Sequence, residues 1–424
     1  YKYLGDIIFL TYKYMNKFIK NINKSNDDEL LKELKAIINQ NFTFQEDYAS
    51  DTIIFTKNLG TNLHDNKNKK LFLKENWMPS FKYEDIKNYN YFSQLIPENS
   101  VIVLALSDNN KEKVVKNNDK FKFDFEQFKN RTIQFYNINF SYFNFDVDFK
   151  KSFGENESTI PFNKNDYISI YQKKINIDEE DKNNFDHQSI SIKNTNITNF
   201  TYIKDTRFGL PKVHISLNLL HPFLRPGNQS EFRDCFFFEN MLYLAFIDRE
   251  IKFKLSDAIR AGNRIKIGFI QDHMFVEIFA FSDVAEKIAM KIKEIMFDKN
   301  SFNQIHNDIN KLELYKHYAY EKFLAGASIN KKANYLFYFG LNDKMYNKTF
   351  DLELKDIEKC HNIFKEINKL MTNFLIDGQI YGYYEKDEAQ KIANWFNDTG
   401  NDEAFLSALD KAGLTKENLI STTF

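Results

Sequence analysis

A chain of 424 residues is longer than the size at which a single hydrophobic core keeps growing, so two or more domains are expected. Its hydrophobic content of 43% suffices for ordinary globular cores, and Lys+Arg 58 against Asp+Glu 59 leave a net charge of -1, which excludes an overall electrostatic pull toward nucleic acid or an anionic membrane. The two cysteines, Cys235 and Cys360, cannot build a disulfide framework or a Cys/His zinc cluster, so they read as ordinary thiols in a reducing intracellular compartment.

The opening "YKYLGDIIFLTYKYMNKFIKNI" lacks a small-residue cleavage site and begins without Met, as a fragment would. No apolar run approaches the length of about eighteen residues that a membrane-spanning helix needs, so no membrane span is expected. The first segment reads as helices. "DIIFLTYKYMNKFI" repeats apolar residues at helical spacing, and "DDELLKELKAIINQNF" places acidic residues before Leu30, Leu31, Leu34, Ile37 and Ile38. Residues 83–95 predict a further helix, and "NSVIVLAL" (99–106) a buried strand closed by a polar turn. Strand-like pieces such as "TIQFYNINFSYFNF" then lie among Asn, Asp and Lys clusters, so 109–196 reads as an extended connector, with "DEED" (178–181) a solvated turn inside it.

From residue 197 the pattern sharpens. "KVHISLNLL" predicts a strand, the stretch through "MLYLAFIDREIKFKLSDAIRAG" a helix ending at Gly262, and "RIKIGFIQDHMFVEIFAFS" a hairpin. "VAEKIAMKIKEIMF" predicts an amphipathic helix with Ala285, Ile288, Ala289, Ile292 and Ile295 or Met296 on one side. Two long helical stretches follow, "NQIHNDINKLELYKHYAYEKFLAGA" and "DLELKDIEKCHNIFKEINKLM", then the short strand "GQIYGYY" and a last helix from Asp387. This order predicts an α+β fold, an antiparallel sheet with helices packed on one face. The domains expected are 1–108, the end of a helix-rich α+β domain; the connector 109–196; and one α+β domain over 197–424.

Within that last domain, "FRDCFFFENMLYLAF" carries Glu239 and Asn240 side by side in an apolar helical run. A buried, unpaired carboxylate costs roughly 3–5 kcal/mol, so Glu239 either faces solvent or answers to some chemistry. The letters "FFFENMLYLA" are similar to the HFxEHMLFLG wording of the insulinase/pitrilysin family of zinc peptidases. In that family's inverzincin motif, His-x-x-Glu-His, two His bind zinc and the Glu is general base toward the metal-bound water. Phe236 stands at the first His position, Glu239 at the base and Asn240 at the second His.

The flanks agree with the resemblance: "FKLSDAIRAGNRIKIGF" with "HMFVEIFAFS" resembles the passage from the motif helix into a hairpin. "YFSQLIPENSVIVLAL" resembles the close of the family's second domain, "YIKDTRFGLPKVHISLNLLHPF" the opening of the third, and "GQIYGYYEKDEAQKIANWF" the third domain's last strand and helix. Taken alone, "FFFENMLYLAF" also fits a plain amphipathic helix whose Glu and Asn face water; the flanks favour the degenerate motif.

The resemblance implies the end of a second domain followed by a catalytically degenerate third one. No catalytic or metal-binding residue is then expected at Phe236, Glu239 and Asn240, since phenylalanine has no lone pair and an amide oxygen is a poor zinc ligand. It also implies an intact zinc domain before Tyr1 and a fourth domain after Phe424, with zinc bound in the former. The expected function is a non-catalytic part of a zinc metalloendopeptidase that lines a peptide-binding chamber, with peptide substrates and the upstream catalytic half as partners. The alternative is a stand-alone binding scaffold derived from the same fold. His317 and Glu321, at i and i+4, read as an exposed ion pair in preference to a metal site. His214 and His221 are seven apart, which in a continuous strand puts them on opposite faces.

Overall fold

The computed structural model describes residues 10–15, 29–44, 56, 129–133, 138–142, 164–176, 189–222, 231–270, 273–297, 314, 374–397 and 402–420. The expected helix at 83–95, the strand at 99–106, the turn at 178–181, the two long helical stretches of 303–371 apart from Leu314, and the pair His317 and Glu321 lie outside them. By contact the chain divides into two units, one of residues 1–35 with 74–164 and one of 36–73 with 165–424. In the first, 10–15 are helical and β1 (Lys129–Ile133) pairs antiparallel with β2 (Ile138–Tyr142), so part of the strand-like signal of "TIQFYNINFSY" falls in paired strands.

The second unit is built on a six-stranded sheet. Its strands are β3 (Ile190–Asn194), β4 (Thr198–Lys204), β5 (Lys212–Leu220), β6 (Arg264–Ile270), β7 (His273–Phe281) and β8 (Leu375–Gly382), in the spatial order β3-β4-β8-β5-β7-β6. The α+β class is the one expected, but the sheet is mixed rather than wholly antiparallel. β4 and β8 run parallel, while the other neighbours are antiparallel. Residues 205–374 separate the paired strands, ample chain for the crossover that parallel pairing requires and a hairpin cannot supply.

Alternation sorts the faces. Along β5, Val213, Ile215, Leu217 and Leu219 are buried, and Lys212, His214, Ser216 and Asn218 between them are half-buried. The buried face meets the helices. α1 (Glu29–Thr43) runs into the unit at its C-terminal half, and α2 (Glu231–Lys254) sends Leu244, Ala245, Ile247 and Ile251 into the core. α3 (Ser256–Arg260) closes at Gly262, whose φ of 88° is a left-handed value that suits glycine, while Asn263 N–H donates back to the Ala258 carbonyl at 3.2 Å. α4 (Ser282–Phe297) buries Val284, Ala285, Ile288, Ala289, Ile292, Ile295 and Met296, the stripe its periodicity predicts.

After β8 come α5 (Lys386–Asn397), α6 (Asp402–Ala412) and α7 (Lys416–Ile420), three helices where the sequence pattern predicts one from Asp387. Phe405, Leu409 and Leu419 of the last two close a smaller cluster on Ile197, Leu220 and Leu375 at the end of the sheet. The expected connector, 109–196, divides between the units, since residues from 165 onward belong to the second and β3 is the sheet's edge strand. Its residues 165–172 are tied to α4 and α1. Asp283 accepts from Ser169 Oγ at 2.7 Å and Ile170 N–H at 2.8 Å, and the Gln40 amide donates to the Ser169 carbonyl at 2.5 Å.

Candidate functional site

Phe236, Glu239 and Asn240 lie in the first half of α2, one helical turn holding all three backbone positions on one side of the helix by their i, i+3, i+4 spacing. The donor set presented by these residue types contains no imidazole. Among the described residues there is no group of three or more His, Cys, Asp or Glu that could hold a metal ion, and no helix long and apolar enough to cross a membrane.

The sheet's second face presents polar and aromatic side chains. Strand register lines its side chains up in cross-strand rows. One runs Ile203, Tyr381, His214, Phe279, Arg264; the next runs Thr201, Gln379, Ser216, Glu277, Lys266. Period-two alternation builds this surface, because each strand that commits its Val, Ile and Leu to the helices must present its polar and aromatic residues opposite.

The first row is the more ordered. The His214 and Phe279 rings stack with centroids 4.1 Å apart and planes 5° off parallel, and Arg264 and Lys266 each lie 5.1 Å from the Phe279 centroid. Such cation–π and stacked contacts contribute on the order of 0.5–1.5 kcal/mol each. Lys266 also pairs with Glu277 at 3.6 Å across the strands.

At the end of this row the turn after β4 folds over it. Arg207 grips Asp205 with two prongs, Nε to Oδ1 at 3.1 Å and Nη2 to Oδ2 at 2.8 Å, and also donates to the Tyr381 hydroxyl at 3.0 Å. The Tyr381 hydroxyl in turn donates to Asp205 Oδ2. Burial pushes the Asp205 carboxyl up, but the hydrogen bonds from Arg207 and Tyr381 outweigh it and hold the group below the usual carboxylate range. The Tyr381 hydroxyl is pushed up first by burial and then by Asp205, with Arg207 opposing. Lys212 donates to the Phe44 carbonyl at 3.2 Å and sits 5.4 Å from the Phe281 ring.

His214 and His221 separate as their odd spacing requires. His214 belongs to the polar face, and His221, just past the end of β5, is 1% exposed against Phe374. His214 Nε2 is buried without a hydrogen-bond partner. Burial lowers the imidazole pKa, with Glu277 opposing and Lys266 assisting. Between that lowered value and the unfolded value of about 6.5, the folded chain binds fewer protons than the unfolded one. Stability therefore falls as pH drops through that window and levels off below it. We expect His214→Phe to flatten this slope in urea unfolding midpoints measured from pH 7.5 to 5, and to gain about 1 kcal/mol near neutrality by removing the orphaned nitrogen. An unchanged slope would show that another group sets it.

The Asp205, Arg207 and Tyr381 cluster went unread in the sequence. "KDTRFG" and "GQIYGYY" each resemble ordinary turn or strand chemistry, and only the parallel pairing of β4 with β8 brings their ends together.

The family profile described as the middle or third domain of the M16 peptidases matches residues 42–352. No curated protein matches the chain in sequence. Among solved structures, a crystal structure of pitrilysin superposes with a TM-score of 0.49 at 12% identity, covering 98% of this chain and 39% of that one. The chain thus spans about two-fifths of the pitrilysin chain it matches.

Proposed function

Because this chain belongs to the M16 peptidase family and carries its middle or third domain, we propose that it is a non-catalytic segment whose polar sheet face forms part of the wall of a peptide-binding chamber. The observation that carries this reading is the sorting of the sheet. One face is sealed by helices, while the other holds two rows of half-buried and exposed aromatic, amide and charged side chains, a surface suited to contacting an extended peptide through side-chain hydrogen bonds and rings. The residues in α2 do not fit a zinc ion, since Phe236 offers no lone pair and Asn240 only a weak amide oxygen, so no chemical step is assigned to Glu239. Zinc would be held by the catalytic domain of the same protease, which makes that domain and the peptide substrate the chain's partners.

Photo-crosslinking tests the assignment of the face. A photoreactive residue at Gln379, exposed in the second row, is expected to label an added unstructured peptide; the same residue at Lys391, exposed on α5, is not. Equal labelling from both positions would remove the polar face from the substrate's path.

A further inference from the structure

Strand register builds a third row on the polar face: Asn199, Asp377, Asn218 and Phe275. This row lies in an inner corner of the unit, because in the row beyond it Leu220 and Leu375 pack with Phe405, Leu409 and Leu419 of α6 and α7. Asp377 is half-buried there with an amide side chain on either side. We propose that this cradle receives the ammonium group of a lysine side chain of the bound peptide, which pairs with Asp377. The proposal deepens the chamber-wall reading and rests on it for the identity of the ligand as a peptide.

Three observations support this occupant. First, Asp377 has no cation at ion-pair distance among the described residues. Its hydrogen-bond partner is the neutral Asn199, whose Nδ2 donates to Oδ1 at 2.7 Å. Lys416 and His273 act on the carboxylate through space, and the Lys416 ammonium is itself held by Asn194 Oδ1 at 2.8 Å and by the Thr195 carbonyl. Burial pushes the Asp377 carboxyl up despite these neighbours, a penalty on the charged form that an arriving cation would offset.

Second, the other carboxylates of this face are already engaged. Asp205 is gripped by Arg207, and Glu277 pairs with Lys266 at 3.6 Å. Among the described residues of the three rows, Asp377 is the anion left to meet a ligand's charge.

Third, the acceptors select ammonium over guanidinium. Asn199 occupies Oδ1, so Oδ2 is the carboxylate oxygen without a hydrogen bond, and the bidentate grip that guanidinium prefers is blocked. An ammonium instead carries three donors on one compact charge. Oδ2 accepts from one of them, and the carbonyl oxygen of Asn218, whose amide makes no hydrogen bond among the described residues, accepts from a second. The long methylene stem of lysine lets its charge reach the corner while the peptide backbone stays over the exposed Gln379, further along β8.

The probes are N-acetylated, C-amidated ten-residue peptides, identical but for a central lysine, norleucine or arginine, titrated into the whole chain and followed by ligand-observed NMR. The lysine peptide is expected to bind about tenfold more tightly than the norleucine peptide, the size of one charge-assisted hydrogen bond, and several-fold more tightly than the arginine peptide. Asp377→Asn keeps the shape and removes the charge, so it should erase the lysine preference while leaving norleucine binding and the urea midpoint unchanged. Asn218→Ala, at a half-buried position with no hydrogen bond to lose, should leave the fold intact and reduce the lysine preference about threefold.

Equal binding of the lysine and norleucine peptides to the wild-type chain, an arginine peptide that binds as tightly as the lysine one, or a lysine preference untouched by either substitution overturns the proposal. The two readings fail separately. Peptides that label position 379 whatever their central residue, and bind with equal affinity, leave the chamber wall standing without this subsite. Lysine-selective binding that is lost in Asp377→Asn, with no labelling from position 379, leaves an ammonium site without the chamber.

Discussion

Phe200→Ala is expected to destabilise the sheet unit by about 3–5 kcal/mol, among the largest losses any single truncation in it can produce. The ring is fully buried and stacks on Phe396 of α5 with centroids 6.2 Å apart, joining β4 to the helical layer. Its register partner across the parallel pair is Gly378 of β8, and a Cβ built on that glycine would lie 2.2 Å from the Phe200 ring. The ring thus occupies the volume that a side chain at 378 would need. Truncation leaves a void that the backbone cannot close, because ladder hydrogen bonds fix the strand spacing at about 4.8 Å.

The same contact makes Gly378→Ala destabilising alone and less so in the Phe200→Ala background, a coupling that a double-mutant cycle reads directly. Urea midpoints at unchanged m-value are the measurement. A loss below about 1.5 kcal/mol for Phe200→Ala, or strict additivity of the two substitutions, would show that the void collapses and that glycine serves some other need at 378.

What could be read in advance followed from periodicity within single elements. "KVHISLNLL" states both the extent of β5 and which of its side chains face the helices, since strand alternation needs no tertiary information. The helix "VAEKIAMKIKEIMF" likewise shows its buried stripe, and Gly262 its turn. The strands left out, β3 and β4, contain "ISIKNTNITNFTYIK", where asparagine and threonine interrupt the alternation. They become strands by pairing with each other and with β8, nearly two hundred residues away in sequence. The candidate site divides in the same way. The motif positions in α2 are contiguous and legible as letters, whereas the row Tyr381, His214, Phe279, Arg264 exists only through the registers of four strands. A single sequence contains those residues but not their juxtaposition.

With a quenched fluorogenic peptide, the chain alone is expected to show no chelator-sensitive turnover, with or without added zinc, and elemental analysis is expected to find no stoichiometric zinc. Peptide hydrolysis by this class of enzyme requires a metal-activated water and a base held beside it, and loss of the metal removes both the nucleophile and the Lewis acid that polarises the scissile carbonyl. In α2 the resemblance puts Glu239 at the position of the base, and Phe236 and Asn240 offer no imidazole that would give it a water to activate. Restoring Phe236→His with Asn240→His supplies two ligands of at least three, so turnover is expected to stay absent in that variant even if weak zinc binding appears. Activity is expected when the chain is joined to a segment carrying an intact His-x-x-Glu-His. There Glu239→Gln should leave the rate unchanged. Chelator-sensitive cleavage by the chain alone, or one zinc per chain that disappears on Glu239→Ala, would place the chemistry in α2 and overturn the non-catalytic assignment.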